Sequence, residues 1–290
     1  MNKVIQVKNL KKYFGKTKAI NDVSFSIEEG EVFGFLGPNG AGKTTTIRCL
    51  MDFLRSTEGE INILGKDAHK DSVELKKDIG YLSGSVKLYD KWTGQAHIDY
   101  FKKLNGHHNI ASDLIKRFDF NSKVKTKNLS SGNRQKLGII LAFMFEPKLL
   151  IFDEPTNALD PLLQNEVYEL IEEQVKKGAT VFMSSHNLNE VERVCSRVGI
   201  IKNGKMVAEE SILKLKDKKL YDIKVCFENK VDLAELKKNG LEIAQVLPNC
   251  LILKAKGDIN PLIQKLSQYK LRDLNIERAN LEDIFMEFYE

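Results

Sequence analysis

Gly37–Thr44 reads GPNGAGKT, which fills every required position of the pattern G-x-x-x-x-G-K-[ST]. Gly37, Gly40 and Gly42 free the backbone so that successive N–H groups can turn toward phosphate oxygens. Pro38, Asn39 and Ala41 complete the loop, and Thr45 continues it into the helix that follows. The positive end of that helix adds to the anion site. In this pattern Lys43 reaches the terminal phosphates of a nucleotide and Thr44 offers its hydroxyl to a magnesium ion. A second constellation is LLIFDEP, Leu149–Pro155, an apolar run that ends in two acids. Asp153 is placed to hold the metal shell, and Glu154 to polarise an attacking water. A third apolar run, TVFMSSH, ends at His186.

These residues need elements to carry them. Val32–Gly37, Leu149–Asp153 and Thr180–Ser185 are apolar runs too short for helices, and they read as strands buried on both faces. VIQVKNL alternates as a half-buried strand. The stretch Ser72–Met144 predicts mostly helix, over SVELKKDIGYL, GQAHIDYFKKLNG, ASDLIKRFDF and RQKLGIILAFMF. DPLLQNEVYELIEEQVKKG has helix punctuation: Asp160 as N-cap, Pro161 at the first position and Gly178 as the stop. VGIIKNGKMVAE predicts a hairpin, because Asn203-Gly204 accepts the positive φ values of a type I′ turn. Buried strands alternating with helices imply an α/β fold with a parallel sheet. KLKDKK, Lys214–Lys219, reads as a linker.

After the linker the order becomes β-α-β-β-α-β: YDIKVCF, VDLAELKKNG, LEIAQVL, CLILKA, NPLIQKLSQY and LRDLNIER. A turn at Pro248-Asn249 joins the second and third strands. That order is ferredoxin-like. A final amphipathic helix, NLEDIFMEFYE, follows. The expected domains are residues 1–216, with a helical subdomain at about 72–145, and an accessory α+β domain at 217–290.

Composition narrows the class. The 290 residues carry a net charge of +5, with no dense basic stripe of the kind that nucleic acid binding requires. Residues 217–290 hold 12 basic and 13 acidic side chains, so the excess lies in the first domain. The longest apolar stretch, Leu137–Phe145, is far below the roughly 20 residues of a membrane span. Cys49, Cys195, Cys226 and Cys250 form no Cys-x-x-Cys pair, and they read as reduced thiols rather than as a disulfide framework. The adjacent histidines in NGHHN have no acidic or sulfur partner near them and read as loop.

GPNGAGKT, LLIFDEPTNALDP and SSH, in this order, resemble the nucleotide-binding subunit of an ATP-binding cassette transporter, a P-loop NTPase fold with antiparallel β and helical subdomains. The resemblance covers about the first 215 residues. It implies ATP and Mg²⁺ as cofactors, with Thr44 and Asp153 on the metal. It implies Tyr13 stacked on adenine, Glu154 and His186 as catalytic residues, and Asp160 on the loop that meets a second nucleotide-binding subunit. NLSSGNRQK falls where the family keeps its signature loop, which binds the nucleotide of the opposite subunit. Ser130 and Gly132 match that pattern. Ser131 replaces a glycine and Asn133 replaces a glutamine. In IGYLSGSVKLYD, Gly84 stands where the family has a glutamine that couples the site to the membrane partner, and Ser83 replaces a proline.

The tail ending LEDIFMEF resembles that of bacterial drug- and peptide-export ATPases. The implied partners are an integral membrane permease and a second nucleotide-binding subunit, with no nucleic acid. The implied place is cytoplasmic, on the inner face of the membrane through the permease. The export ATPase is weighed against a soluble cassette protein acting on ribosomes or DNA, and against a regulatory subunit that binds ATP without hydrolysing it.

Overall fold

The architecture is that of a computed structural model, which describes residues 2–105, 109–216, 220–229, 231, 233, 236, 242–248 and 250–278. Two compact units divide the chain, Met1–Ser211 and Ile212–Glu290.

In the first unit, β1 (Lys3–Phe14) and β2 (Thr17–Glu28) form a long antiparallel hairpin. With β4 (Glu58–Ile63) and β5 (Lys66–Asp67) they make a four-stranded sheet in the order β2-β1-β4-β5. A second sheet has six strands: β3 (Val32–Leu36), β6 (Ile79–Leu82), β7 (Leu149–Asp153), β8 (Thr180–Ser185), β9 (Arg197–Lys202) and β10 (Lys205–Ser211). Its order is β10-β9-β3-β8-β7-β6. All its pairings are parallel except β9–β10, the expected hairpin. Asn203 and Gly204 both have positive φ there, as a type I′ turn requires.

The three apolar runs are buried along their whole length because both faces of the parallel sheet are covered. Phe25 of β2 lies 5.6 Å, ring centre to ring centre, from Phe33 of β3 and 5.7 Å from Phe182 of β8. This aromatic stack joins the two sheets and gives them one core.

Between the sheets' strands run α1 (Lys43–Leu50), α2 (Ser72–Leu75), α3 (Gly94–Asn105), α4 (Ala111–Arg117), α5 (Ser131–Phe143), α6 (Pro161–Lys176) and α7 (Leu188–Val194). The Asp160 carboxylate accepts the Leu163 N–H at 3.0 Å, so it caps α6 as predicted. Arg117 of α4 pairs with Glu166, Glu169 and Glu173 of α6 and ties the helical segment to the core.

One expectation fails in this segment. SVELKKDIGYL is not one helix: α2 is a single turn, and Ile79–Leu82 is the edge strand β6, paired in parallel with Leu149–Phe152. A four-residue strand has too few residues to display its period, and the partner that extends it lies about 70 residues on. Gly80 lets β6 seat there. A Cβ on it would stand 2.2 Å from the Ala142 carbonyl oxygen and 2.7 Å from Leu150. Gly80→Ala is therefore expected to cost about 1–3 kcal/mol through overpacking. Thermal unfolding should show a midpoint lower by roughly 2–12 °C, and an unchanged midpoint would contradict this packing.

The second unit opens with α8 (Ile212–Lys216), so the first half of the expected linker is helical; residues 217–219 lie outside the described residues. Its strands β11 (Leu220–Phe227), β12 (Glu242–Val246), β13 (Cys250–Lys256) and β14 (Leu271–Arg278) form an antiparallel sheet in the order β12-β13-β11-β14. With α9 (Asn260–Leu266) packed on Ile223, Val225 and Leu253, this is the ferredoxin-like arrangement. The expected helix over VDLAELKKNG, the Pro248-Asn249 turn, the NGHHN loop and the terminal helix fall wholly or mostly outside the described residues.

The reading of all four cysteines as reduced thiols is also corrected. Cys226 and Cys250 stand directly opposite on β11 and β13 and form a disulfide, whereas Cys49 and Cys195 are free and buried. The strand register makes neighbours of two cysteines 24 residues apart.

Candidate functional site

The parallel register lines up three strand ends. Leu36 of β3 pairs with Ser185 of β8, and Asp153 of β7 pairs with Ser184. The residues that follow these strands therefore emerge together: the Gly37–Gly42 loop, Glu154 and His186. Side chains beyond the carboxyl ends of parallel strands share one crevice.

Gly42, the residue before α1, has φ of 113°, a conformation that a side chain would strain. The Thr46 N–H and hydroxyl both donate to its carbonyl, at 2.9 and 3.0 Å. The β9–β10 turn braces the loop from outside. The Gly204 N–H donates to the Ala41 carbonyl at 2.9 Å, while the Gly204 carbonyl accepts from the Asn21 N–H at 2.7 Å. Lys43 is only 6% exposed. Its ammonium donates to the carbonyls of Gly37 at 2.6 Å and Pro38 at 3.3 Å. Burial lowers its pKa below the ordinary lysine value, against the opposing charges of Glu154 and Asp153.

Glu154 takes a left-handed backbone conformation, φ 52°, at the end of β7. Its carboxylate lies 3.1 Å from His186 Nδ1 and 3.8 Å from Lys43 Nζ, and it accepts from Asn157 Nδ2 at 2.6 Å. A carboxylate held between an imidazole and an ammonium, at the edge of a phosphate loop, can take a proton from water that approaches the last phosphate.

Asp153 is buried, and its Oδ1 accepts from the Ser184 hydroxyl at 2.6 Å. Its other oxygen faces the crevice that Thr44, Arg48, Tyr81, Ser83, Gly84, Ser85 and Lys87 also line. Two hard oxygen donors, the Thr44 hydroxyl and the free Asp153 oxygen, suit Mg²⁺. Gly84 sits against this acid: a Cβ there would lie 3.1 Å from the Asp153 carbonyl oxygen and 3.6 Å from Oδ2. The Ser83 hydroxyl turns away and donates to the Ser85 carbonyl at 2.8 Å. Tyr81, on the same wall, has its hydroxyl pKa raised by burial and then by the charge of Asp153.

Asn39, Gly40, Gly42, Lys43, Thr44, Thr45 and Glu154 line a smaller cavity, together with Ala19 of β2. Tyr13 lies near the tip of the same β1–β2 hairpin. Its hydroxyl donates to Asn21 Oδ1 at 3.2 Å, and the Lys18 ammonium lies 5.7 Å from its ring centre.

The signature loop is built locally. Ser130 caps α5, and its hydroxyl oxygen accepts the Asn133 N–H at 3.2 Å. Gln135 Nε2 donates to the Pro155 carbonyl at 2.7 Å, which ties α5 to the loop after Glu154. Among the described residues, Ser130, Ser131 and Asn133 make no hydrogen bond to Gly37–Thr45 or Glu154, and the Asp160 carboxylate makes only its capping bond. The single chain therefore brings together Lys43, Thr44, Asp153, Glu154 and His186, but not the signature residues. Ser184 and Asn157 carry no role in the sequence reading. Both lie inside the quoted motifs SSH and DEPTNALDP, and their positions beside the two acids were the available signal.

Comparison with known proteins fits this geometry. Residues 20–157 match the family described as ABC transporter. Over 303 residues the chain is 31% identical to the ABC transporter ATP-binding protein YhcH of Bacillus subtilis, covering 99% of this chain and 96% of that one. It is 34% identical over 237 residues to the bacitracin transport ATP-binding protein BcrA of Bacillus licheniformis, covering 79% and 78%. A bacterial ABC transporter cassette solved as a dimer, MJ0796, superposes with a TM-score of 0.66 at 26% identity, covering 72% of this chain and 98% of that one.

Proposed function

Because the chain belongs to the ABC transporter family as an ATP-binding subunit, we propose that it hydrolyses ATP to power a separate membrane permease that exports a drug, an antimicrobial peptide or a lipid-like compound. The observation that carries hydrolysis is Glu154, held 3.1 Å from His186 and 3.8 Å from Lys43 beside a complete phosphate loop.

Lys43, the loop N–H groups and the α1 N-terminus bind and orient the phosphates. Thr44 and Asp153 would hold Mg²⁺, which would supply charge neutralisation at the phosphates. Glu154 takes the proton of the attacking water, and His186 orients water and phosphate. Tyr13 offers its ring to adenine.

The signature residues Ser130–Asn133 act on the nucleotide of a second subunit, placed head to tail so that Asp160 faces its counterpart. Ser130, Ser131 and Asn133 make no bond to their own phosphate loop, and a solved relative is a dimer; both support this reading. ATP then bridges two chains, and its hydrolysis releases the bridge. The two states differ in phosphate contacts, which is the differential binding that a switch requires.

Among the described residues no helix is long and apolar enough to cross a membrane, so the permease is a separate chain on this reading. An exposed aromatic surface favours an apolar partner segment. Tyr89, Tyr100, Phe101 and Leu104 are all exposed, and Trp92 packs between Tyr89, tilted at 4.8 Å, and Tyr100, edge-on at 5.4 Å. This surface follows directly on the Ser83–Ser85 loop, at the position where motion at the nucleotide would pass to the permease. Export of a peptide antibiotic is the reading that the bacitracin transport relative favours.

Co-expression with a candidate polytopic permease, in a sensitive bacterial host, tests the proposal. Tolerance of a bacitracin-type peptide should rise and should disappear with Glu154→Gln. Equal tolerance with and without the pair would overturn the peptide assignment.

A further inference from the structure

We propose that Glu190 is a positioning residue for ATP hydrolysis, locking the loop of His186 to the loop of Glu154 through the hydroxyls of Ser185 and Thr156. The inference rests on the hydrolytic reading above. Glu190 lies on α7 and is 2% exposed, yet no cation pairs with it within the described residues. A buried carboxylate needs hydrogen bonds to offset its lost hydration. Its two oxygens find them on two different loops. Oε2 accepts from the Ser185 hydroxyl at 2.5 Å, and Oε1 accepts from the Thr156 hydroxyl at 2.8 Å.

Ser185 immediately precedes His186. Its oxygen also accepts the Asn187 N–H at 2.9 Å, so the His186 backbone is closed into a tight turn around a hydroxyl whose shorter acceptor is Glu190, at 2.5 Å, against 3.2 Å to the Asn187 carbonyl. Thr156 stands two residues after Glu154, whose left-handed backbone holds only where the surroundings over-determine it. The Glu190 carboxylate thus accepts one hydrogen bond from each loop. Burial raises its pKa, so the bridge is costly to charge, and Tyr168 of α6 packs close enough to have its own pKa pushed up to about 12, mainly by burial and then by this acid. By accepting one hydroxyl from each loop, the carboxylate fixes the distance between them and so sets the 3.1 Å contact between His186 and Glu154.

The test uses the full chain with Glu190→Ala, Glu190→Gln and Thr156→Val. A misplacement of about 1 Å at a reacting group costs on the order of 100-fold. Glu190→Ala should therefore lower kcat by about 10- to 100-fold. KM for ATP and affinity for a fluorescent ATP analogue should stay within about threefold, because the phosphate loop is untouched. Glu190→Gln keeps an acceptor and a second polar atom and should restore most of kcat. Thr156→Val, which keeps the shape and loses the hydroxyl, should lower kcat alone, and it serves if the alanine variant does not fold.

A kcat for Glu190→Ala and Thr156→Val close to that of the parent would overturn the inference, as would equal losses in kcat and nucleotide affinity that Gln fails to rescue. A crystal structure of either variant that retains the His186–Glu154 contact would overturn it independently of turnover. Absence of turnover in the unaltered chain would instead refute the hydrolytic reading itself.

Discussion

Glu154→Gln is expected to lower steady-state ATP turnover of the purified chain by at least about 100-fold, the lower range of what a general base contributes. The glutamine amide has the same shape and can still accept from Asn157 Nδ2, now 2.6 Å from the carboxylate. The loop should therefore stay folded around the variant. What is lost is the anionic oxygen that faces His186 at 3.1 Å and Lys43 at 3.8 Å. Nucleotide affinity should be retained or increased, since the substitution removes a negative charge beside the phosphates. ATP should then accumulate between two chains, and light scattering at millimolar ATP should show a dimer that the unaltered chain forms only transiently. Turnover within about threefold of the parent would remove Glu154 from the role proposed for it.

Lys43→Ala should produce the opposite phenotype at the same site. ATP affinity should fall by at least about 100-fold, the equivalent of one or two charge-assisted hydrogen bonds at about 1.5–3 kcal/mol each. Lys43 is 6% exposed and the position of its ammonium is set by the carbonyls of Gly37 and Pro38, so nothing nearby can replace it. Lys43→Arg should not rescue binding, because a planar guanidinium does not fit a niche shaped for a point charge. No nucleotide-dependent dimer should form, in contrast to Glu154→Gln. Isothermal calorimetry with ATP is the direct measurement, and binding as tight as the parent's would show that the phosphates sit elsewhere.

The two substitutions act on residues that could be named from the chain alone, but the contact between them could not. Lys43 and Glu154 belong to motifs whose letters are dictated by local chemistry: a loop that must turn its N–H groups inward, and a buried strand that must end in acids. Such motifs survive reading in one dimension because the physics that selects them is short-ranged. The same holds for Asp160 and Pro161 at the start of α6 and for Asn203-Gly204 in the β9–β10 turn, where capping and positive φ are properties of a few adjacent residues.

Other features escaped for the converse reason. Ile79–Leu82 continues a helical spacing and becomes a strand only because Leu149–Phe152 offers it a ladder. Thr17–Glu28, unassigned from sequence, is the partner of β1. Cys226 and Cys250 are unremarkable until β11 and β13 register them. Glu190 looks like one of several acids on the polar side of a short helix, and only the fold buries it between the loops of Glu154 and His186.

By itself, then, the sequence determined the phosphate loop, the acidic strand end, the caps and turns, and the ferredoxin-like order of the tail, because each depends on neighbours within a few residues. The tertiary structure alone decided which strand ends meet, which hydroxyls hold Asp153 and Glu190, and that Gly84 rests against Asp153. Apart from the Ser185–Glu190 bond, those contacts join residues that are tens of positions apart, and no local preference of the chain encodes them.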